Sequence, residues 1–571
     1  MDRPRIHLIA NSHLDPVWLW DRYEGMNEAI ATVRAVLDLM DRWPELAYIR
    51  GEAAVYEHIR QRDPATWRRI HEMVASGRWD IVGGNWIQPD TNLPRTEALC
   101  RQYELGQAWF SEHFGRRPTC AWAADSFGHG TGFPEIYAAA GFDSFVFSRP
   151  LEEQLSLPAS LFWWEGPGGS RILSYRLEGQ WYGMERDEMP ARLDKVAELA
   201  GASPLRMSAL FYGLGNHGGG PTERHLREIR AWQERHPEIE LVHSGLHRLM
   251  QAFRETISSV GWEPPVFRGE LNFCLRGCYA SSMASKAAYR RAEAAALRAE
   301  AAHAAAVVRG LPKASQPFDW RSLCFNAFHD ILPGTSIESA TSRQITAMEG
   351  ILDEARDCEE EAIFAMASQL EHPDFSALLP DDFPHPQAVL LFNPHPWEVR
   401  GLVDIETAMD YRLLLSQPDS YATLPMRVMD ASLQDLPFQR LEPRNRFLPQ
   451  FPWRMRVAAE VSVPPLGHTV VYTGRWPEES KGAAPREKVG AGGDSIQSEH
   501  WKVSAGEGAD AVSLRWNGKS IFGNADGLRI RAVRDSFGSW GGHYDEPGSN
   551  DLQETHEYWR IAQAAVLEKG P

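Results

Sequence analysis

Long apolar runs are missing from this 571-residue chain, which removes a bilayer-spanning helix from consideration. The N-terminal stretch MDRPRIHLIANSHLD turns polar too early to serve as a secretory core or a membrane anchor. Cysteine is scarce: Cys100, Cys120, Cys274, Cys278, Cys324 and Cys358 lie scattered with no CxxC pair. That spacing excludes a disulfide framework or a zinc ribbon and suits reduced thiols in a cytoplasmic protein. Cys274 and Cys278 in CLRGC are the one close pair and read as packing residues. Basic charge is also in deficit, 59 Lys and Arg against 77 Asp and Glu, a formal net charge of −18. A surface of that sign repels phosphate backbones, so nucleic acid is not an expected partner, and neither is a membrane.

What is present is an ordinary globular composition, 43% hydrophobic and 24% charged, in a chain too long for one core. Its 21 tryptophans are mostly core material, although an excess of indole also suits a sugar-stacking surface. From Arg5 to about Gly245, short apolar runs (WDIVGGNW, TCAWAAD, SFVFSR, RILSYR, SALFYGLG) alternate with helical patterns, the first helix falling near residues 27–42. Such alternation predicts a parallel sheet or barrel with crossover helices. SKAAYRRAEAAALRAEAAHAAAVVRGL then predicts a long helix stopped at Gly310 and Pro312, and a second helical run covers about 337–370. After DFPHPQ, alternating runs such as AVLLFNP, RMRVAAEVSVP and HTVVYTG predict a β-sandwich, with an exposed loop over about 476–494. The expected division is a catalytic α/β domain with a metal site at 1–270, a helical bundle domain at 271–375, and a β-sandwich region at 376–571 that stops before it is complete. The apolar faces so exposed would need a further chain or a second copy to cover them, which makes a homo-oligomer compatible with the sequence.

Four residues from three distant segments have the chemistry of one divalent-metal site: His13 and Asp15 in HLDPVW, Asp125 in AADSFGHG, and His329 in AFHDILPG. Two imidazoles and two carboxylates form a mixed nitrogen and oxygen set suited to zinc or a similar divalent ion. In an extended segment residues i and i+2 project to one side, so His13 and Asp15 can face one ion while Leu14 packs behind. Pro16 favours that extended geometry at Asp15. Each residue also has a plainer role, strand-end or helix caps for His13, Asp15 and Asp125, and a polar loop anchor for His329 and Asp330. Reactive groups of parallel α/β folds gather past the carboxyl ends of strands, and Trp86, Asn216 and His217 share that position with His13 and Asp125.

In order between about residues 6 and 345, the segments HLDPVWLW, GGNWIQPDTNLP, WAADSFGHG, YGLGNHGGGPT, LRGCY and AFHDILPGTSIESA resemble glycoside hydrolase family 38, the retaining α-mannosidases. A fainter echo follows in LLFNPHPW. The resemblance implies a multidomain fold: a seven-stranded parallel α/β barrel-like catalytic domain, a three-helix bundle and a β-sandwich region. It implies zinc held by His13, Asp15, Asp125 and His329, with Asp125 also the nucleophile. Trp18 would stack on the sugar, Phe127 and Asp330 would line the same subsite, and Trp86, Asp90, Asn216, His217, Arg276 and Tyr279 would be further substrate contacts. For Arg276 a buried ion pair is the plainer role. The implied reaction is hydrolysis of terminal α-linked mannose in mannosides or oligosaccharides through a covalent mannosyl-Asp125 intermediate. One departure bears on the mechanism: Asn216 stands where many members carry aspartate, and an amide cannot donate or recover a proton. Asp90, Glu270 and His217 are the candidates to replace it; Gln88, where glutamate is common, is a milder departure. Two rivals stay open, a mannose-binding pseudoenzyme lacking its acid/base, and a metal-dependent amide or ester hydrolase whose ion activates water.

Overall fold

The computed structural model describes residues 3–215, 217–311, 318–381, 383–408, 425–441, 454–477, 490–492, 494–522, 527–534, 538–540 and 555–565. Two compact units emerge. The first comprises Met1–Ala296, Asp319–Glu354 and Ser536–Asp551; the second comprises Leu297–Phe318, Ala355–Asp535 and Leu552–Pro571.

The first unit opens with β1 (Arg5–Asn11), buried from Ile6 onward. α1 (Arg22–Arg42) begins earlier than residue 27 because the Asp21 carboxylate caps it, accepting from the Tyr23 and Glu24 amides. Its buried Met26, Ala29, Val33, Val36, Leu37 and Met40 recur at helical spacing and give it one core-facing side. There follow β2 (Tyr48–Arg50), α2 (Ala53–Arg62), α3 (Pro64–Ala75), β3 (Trp79–Ile81), α4 (Thr96–Phe114), β4 (Cys120–Ala123), α5 (Phe133–Ala139), β5 (Ser144–Phe147), β6 (Leu161–Glu165) and β7 (Arg171–Arg176). The series continues with α6 (Met189–Ala202), β8 (Met207–Tyr212), α7 (Glu223–Arg235), β9 (Glu240–His243), α8 (Leu246–Val260) and β10 (Val266–Arg268), so the alternation read from the sequence is present.

These strands make two five-stranded sheets; among the described residues there is no closed ring of seven. One sheet is parallel throughout, in the order β3, β2, β1, β8, with β9 also paired to β1. The other runs β10, β6, β7, β5, β4, with β6 antiparallel to β7. Both contribute to one core, in which Ile9, Ile49, Val82, Trp122, Val146, Tyr175 and Phe211 are buried together. Two seams explain the open ring. Past β3, Gly83 and Gly84 adopt left-handed backbone (φ +78° and +65°), and the approach to β4 reduces to the Gly83 amide on the Cys120 carbonyl at 2.9 Å. Beside β8 a side chain replaces a ladder strand: the Gln180 amide donates to the Ala209 carbonyl (2.7 Å) and accepts from the Phe211 N–H (3.0 Å).

α9 (Gly277–Ala280), α10 (Met283–Val308), α11 (Trp320–Asn326) and α12 (Glu338–Ala367) supply the helical segment, and α10 and α12 each belong partly to both units. α10 stops before Gly310 as expected, whereas Pro312 lies outside the described residues. In the second unit, Ala302 and Ala306 pack with Ala362 and Met366. Its strands β11 (Gln387–Phe392), β12 (Val399–Ala408), β13 (Met426–Met429), β14 (Phe438–Leu441), β15 (Arg454–Val463) and β16 (His468–Arg475) form two antiparallel sheets, β11-β16-β13 and β12-β15-β14. Ile405, Val428, Val457, Val461 and Val471 share one core between them, which makes the sandwich. Most of the loop expected at 476–494 lies outside the described residues. None of the six cysteines is in a disulfide, Cys274 and Cys278 lie in an apolar cluster, and no described helix is long and apolar enough to cross a membrane.

The Gly83–Gly84 turn sets a packing limit on α4. A Cβ at Gly106 would stand 2.4 Å from both the Gly84 carbonyl oxygen and the Asn85 carbonyl carbon, backbone that cannot move without shifting the turn. Gly106→Ala is therefore expected to destabilise the first unit by about 1–3 kcal/mol, read from urea unfolding, despite the better helix propensity of alanine. Unchanged stability would show that the turn yields freely.

Candidate active site

The carboxyl ends of β1 and β4 and the loop after α11 bring the four ligand candidates together within the first unit. His13 and Asp15 sit just past β1, with side chains 0% and 2% exposed, and His13 Nε2 stands 2.9 Å from Asp15 Oδ1. This pair is close without being aligned as a hydrogen bond: His13 Nε2 and Asp15 Oδ1 both remain buried without a hydrogen-bond partner. His329 Nδ1 donates to the Gln88 carbonyl (2.9 Å), which can only accept, so Nδ1 carries the hydrogen. Nε2 is thereby turned inward, 3.6 Å from Asp15 Oδ1, and it too is unpartnered. The two imidazoles stack at 5.2 Å.

Ligand atoms of His13, Asp125 and His329 lie within 4.8 Å of one another, as do those of Asp15, His329 and Asp330. Buried nitrogen and oxygen atoms that converge without hydrogen-bond partners fit a cation, because burying such groups unpaired is otherwise costly. The donor set, two imidazoles and carboxylates, suits a borderline divalent ion. Asp125 has further partners: the Arg149 guanidinium donates to Oδ1, and the Tyr182 hydroxyl donates to Oδ2 at 3.0 Å. Behind His13, Glu52 is 3.9 Å from Nδ1 and paired to Arg50 at 3.1 Å, all nearly solvent-free. Glu52 holds a left-handed φ of +66° at the start of α2, strain kept where it backs a ligand candidate.

Burial opposes charge on His329, but Asp15, Asp330 and Asp125 around it outweigh that and raise its pKa from 6.5 to about 9. Burial and the Asp15 charge push Asp330 well above the usual carboxyl range. Asp15 itself falls to about 2, the two histidines overcoming the opposing effect of burial. Without a metal the cluster therefore balances its carboxylates with protons.

Comparison with known proteins decides the family. Residues 3–270 match the Glycosyl hydrolases family 38 N-terminal domain, and residues 274–366 match the Alpha mannosidase middle domain. The chain belongs to glycosyl hydrolase family 38. Human Alpha-mannosidase 2C1 is 30% identical to this family-38 chain over 432 residues, covering 74% of it and 40% of the human protein. The Alpha-mannosidase of Saccharomyces cerevisiae is 29% identical over 352 residues, 58% of this chain and 32% of its own length. A solved alpha-mannosidase from Enterococcus faecalis V583 shares the fold, with a TM-score of 0.69 at 19% identity over 90% of this chain and 61% of that one. The chain spans less than half the length of these curated relatives.

Within this family-38 site, Trp18 lies beside His217 (ring centroids 5.7 Å), and Phe127 stands edge-on to His329 at 5.4 Å. His217 is exposed and also meets Trp20 at 5.1 Å. Asn216 lies outside the described residues. Trp86 is not among the groups gathered at the ligands: it lines a cavity of about 860 Å³ with Arg22, Glu57, Arg321 and Arg343, a lining that includes none of the four, and Arg321 stands 5.7 Å over its ring. The strand-end rule located Trp86 on a rim without saying which way the loop turns. Asp90 is fully buried and committed to its loop, accepting from the Asn92 and Leu93 amides and facing the Tyr279 hydroxyl. Tyr279 also reaches the Phe127 carbonyl (2.9 Å), so both residues hold the Phe127 loop in place. Arg276 is exposed over Phe273, in no buried ion pair, and Glu270 is exposed beside Asn272. Gln88 ties two ligand loops, its carbonyl to His329 and its side chain to the Ala124 amide. Sequence reading missed Arg149, Tyr182 and Glu52. Arg149 stands two residues past the SFVF strand, a rim position that could have signalled it; nothing local marks the other two.

Proton release follows from this balance. A divalent cation entering the cluster needs the His329 lone pair, so titrating zinc into metal-free protein at pH 7.5 should expel about one proton or more per ion. The apparent affinity should rise with pH towards 9 and level off above it, as the competing proton is lost. Calorimetry in buffers of differing ionisation heat measures this; binding without proton release would place the ion elsewhere.

Proposed function

We propose that this chain is a retaining α-mannosidase that uses a divalent cation, zinc by its donor set, to hydrolyse terminal α-linked mannosides. The observation that carries the reading is Asp125, which faces the ligand cluster while Arg149 and Tyr182 grip both its carboxylate oxygens. His13, Asp15, Asp125 and His329 would hold the ion, which when bound supplies Lewis-acid contacts to sugar hydroxyls and stabilises a distorted, oxocarbenium-like ring.

The chain's own groups account for the remaining chemistry. The Asp125 carboxylate attacks the anomeric carbon as the bond to the leaving oxygen breaks, giving a mannosyl ester. Tyr182 and Arg149 orient the attacking carboxylate, and Arg149 stabilises it again when water releases the sugar. His217 carries the proton: it is the one titratable residue of GLGNHGGGPT, it borders the Trp18 ring, and Asp90 is already engaged in its loop. As an imidazolium it protonates the departing oxygen, and as an imidazole it takes the proton of the attacking water. Trp18, Phe127 and Asp330 border the place left for the sugar. Six cysteines without a disulfide are compatible with a reducing, cytoplasmic setting.

The following measurements test this. Asp125→Asn should lower turnover of an aryl α-mannoside by about a thousandfold or more, roughly 4 kcal/mol of barrier, and chelation should abolish turnover until a divalent cation is restored. An Asp125→Asn enzyme with intact turnover ends the proposal. Substitution His217→Ala should slow alkyl mannosides far more than dinitrophenyl mannosides, whose leaving group needs no proton. Equal losses on both would remove His217 from the proton-transfer role. Tight mannoside binding without turnover in the unaltered protein would instead favour a binding role, the reading that Asn216 keeps open.

A further inference from the structure

Among the described residues three arginines are buried, and two of them have a carboxylate: Arg50 pairs with Glu52 at 3.1 Å and Arg149 pairs with Asp125. Arg176, the last residue of β7 and 5% exposed, has none. Its Nη1 donates to the Leu155 carbonyl at 2.6 Å, its Nε is buried without a hydrogen-bond partner, and no described carboxylate oxygen comes within ion-pair distance. This guanidinium lines a cavity of about 320 Å³ within the first unit, walled by Leu161 of β6, Leu199 of α6, Leu205, Phe253 of α8 and Trp262. Burial pulls Arg176 below the usual guanidinium pKa, and the charges of Glu152, Glu153 and Glu178 oppose this without cancelling it. Glu178 is the carboxyl of the lining, and burial together with the Glu152 charge pushes it above its usual range.

We propose that this cavity is a binding site for a small monocarboxylate with an apolar body, the carboxylate taken by Arg176 and the hydrocarbon by the leucine and aromatic walls. A cation removed from water without a partner is strongly unfavourable, and the other two buried arginines each meet a carboxylate. With Nη1 spent on Leu155, the Nε edge of the planar fork is left, and such an edge grips a carboxylate through two parallel hydrogen bonds. Apolar walls and the presence of Glu178 disfavour a compact, multiply charged anion such as phosphate and favour a single charge on a greasy body. The volume lies near the lower end of the range for ligand cavities, which limits that body to a short fatty or arylalkyl chain. None of the metal-ligand candidates is on the lining, so the inference goes beyond the α-mannoside reading and does not depend on it.

Calorimetry and thermal melting of the full chain with octanoate, and with its uncharged counterpart octanamide, test the site. Octanoate should bind and raise the melting temperature, and octanamide should bind roughly tenfold more weakly. Arg176→Met, which keeps an apolar stem and removes the charge, should weaken octanoate roughly tenfold while leaving octanamide almost unchanged, a split that a merely structural arginine would not produce. Ala202→Phe, at an exposed position of the same lining, should obstruct both ligands and serves as the test if Arg176→Met does not fold. The proposal is overturned if the unaltered protein binds no octanoate, if the two ligands bind equally well, or if octanoate binding survives undiminished in folded Arg176→Met or in Ala202→Phe. Each of these outcomes leaves the mannosidase reading untouched.

Discussion

Everything at this site follows from the enforced company of three carboxylates, Asp15, Asp125 and Asp330, in a volume almost closed to water. Buried like charges cannot stay ionised side by side without compensation. The chain provides part of it: Arg149 faces Asp125, and protons stay on His329 and Asp330 beyond their ordinary range. That arrangement is poised for exchange, because the same lone pairs that retain protons are those a divalent ion would take. The surrounding architecture serves to hold the frustration in place, with β1 and β4 delivering His13, Asp15 and Asp125 at strand ends and the Gln88 carbonyl pinning His329 from behind.

Geometry of this kind is legible in sequence only where it is local. The pairing of His13 with Asp15 could be read because alternate residues of an extended segment share a side, and the segment is short. The involvement of His329 could be read from motif resemblance, not from periodicity. Arg149 had only its rim position past a strand to mark it, Tyr182 belongs to a loop that tertiary packing alone brings to Asp125, and Glu52 owes its place to a backbone angle that no sequence rule for glutamate would select. Trp86 shows the limit of the strand-end rule: it follows a strand-like run, and it lines a cavity whose lining holds none of the four ligand candidates.

The fold repeats the pattern. Alternating strands and helices were visible as alternating periodicities, and the end of α10 before Gly310 was visible as a helix stop. The sheet closure was not. Whether consecutive strands join into one ring depends on a few hydrogen bonds at the seams, and here two glycines and one glutamine side chain decide it. The start of α1 moved for an equally small reason, the capping of two amides by Asp21.

Gln180 has an implication beyond topology. A side-chain amide offers one well-placed donor and one acceptor to its neighbour, so it secures two backbone groups of β8 and then ends, where a strand would have continued the zip. Across that line the Met184 N–H also donates to the Gly213 carbonyl at 2.8 Å, and the Asn11 amide reaches both the Tyr182 and Tyr212 carbonyls, so isolated links rather than a ladder resist shear there and the interior should breathe at that edge first.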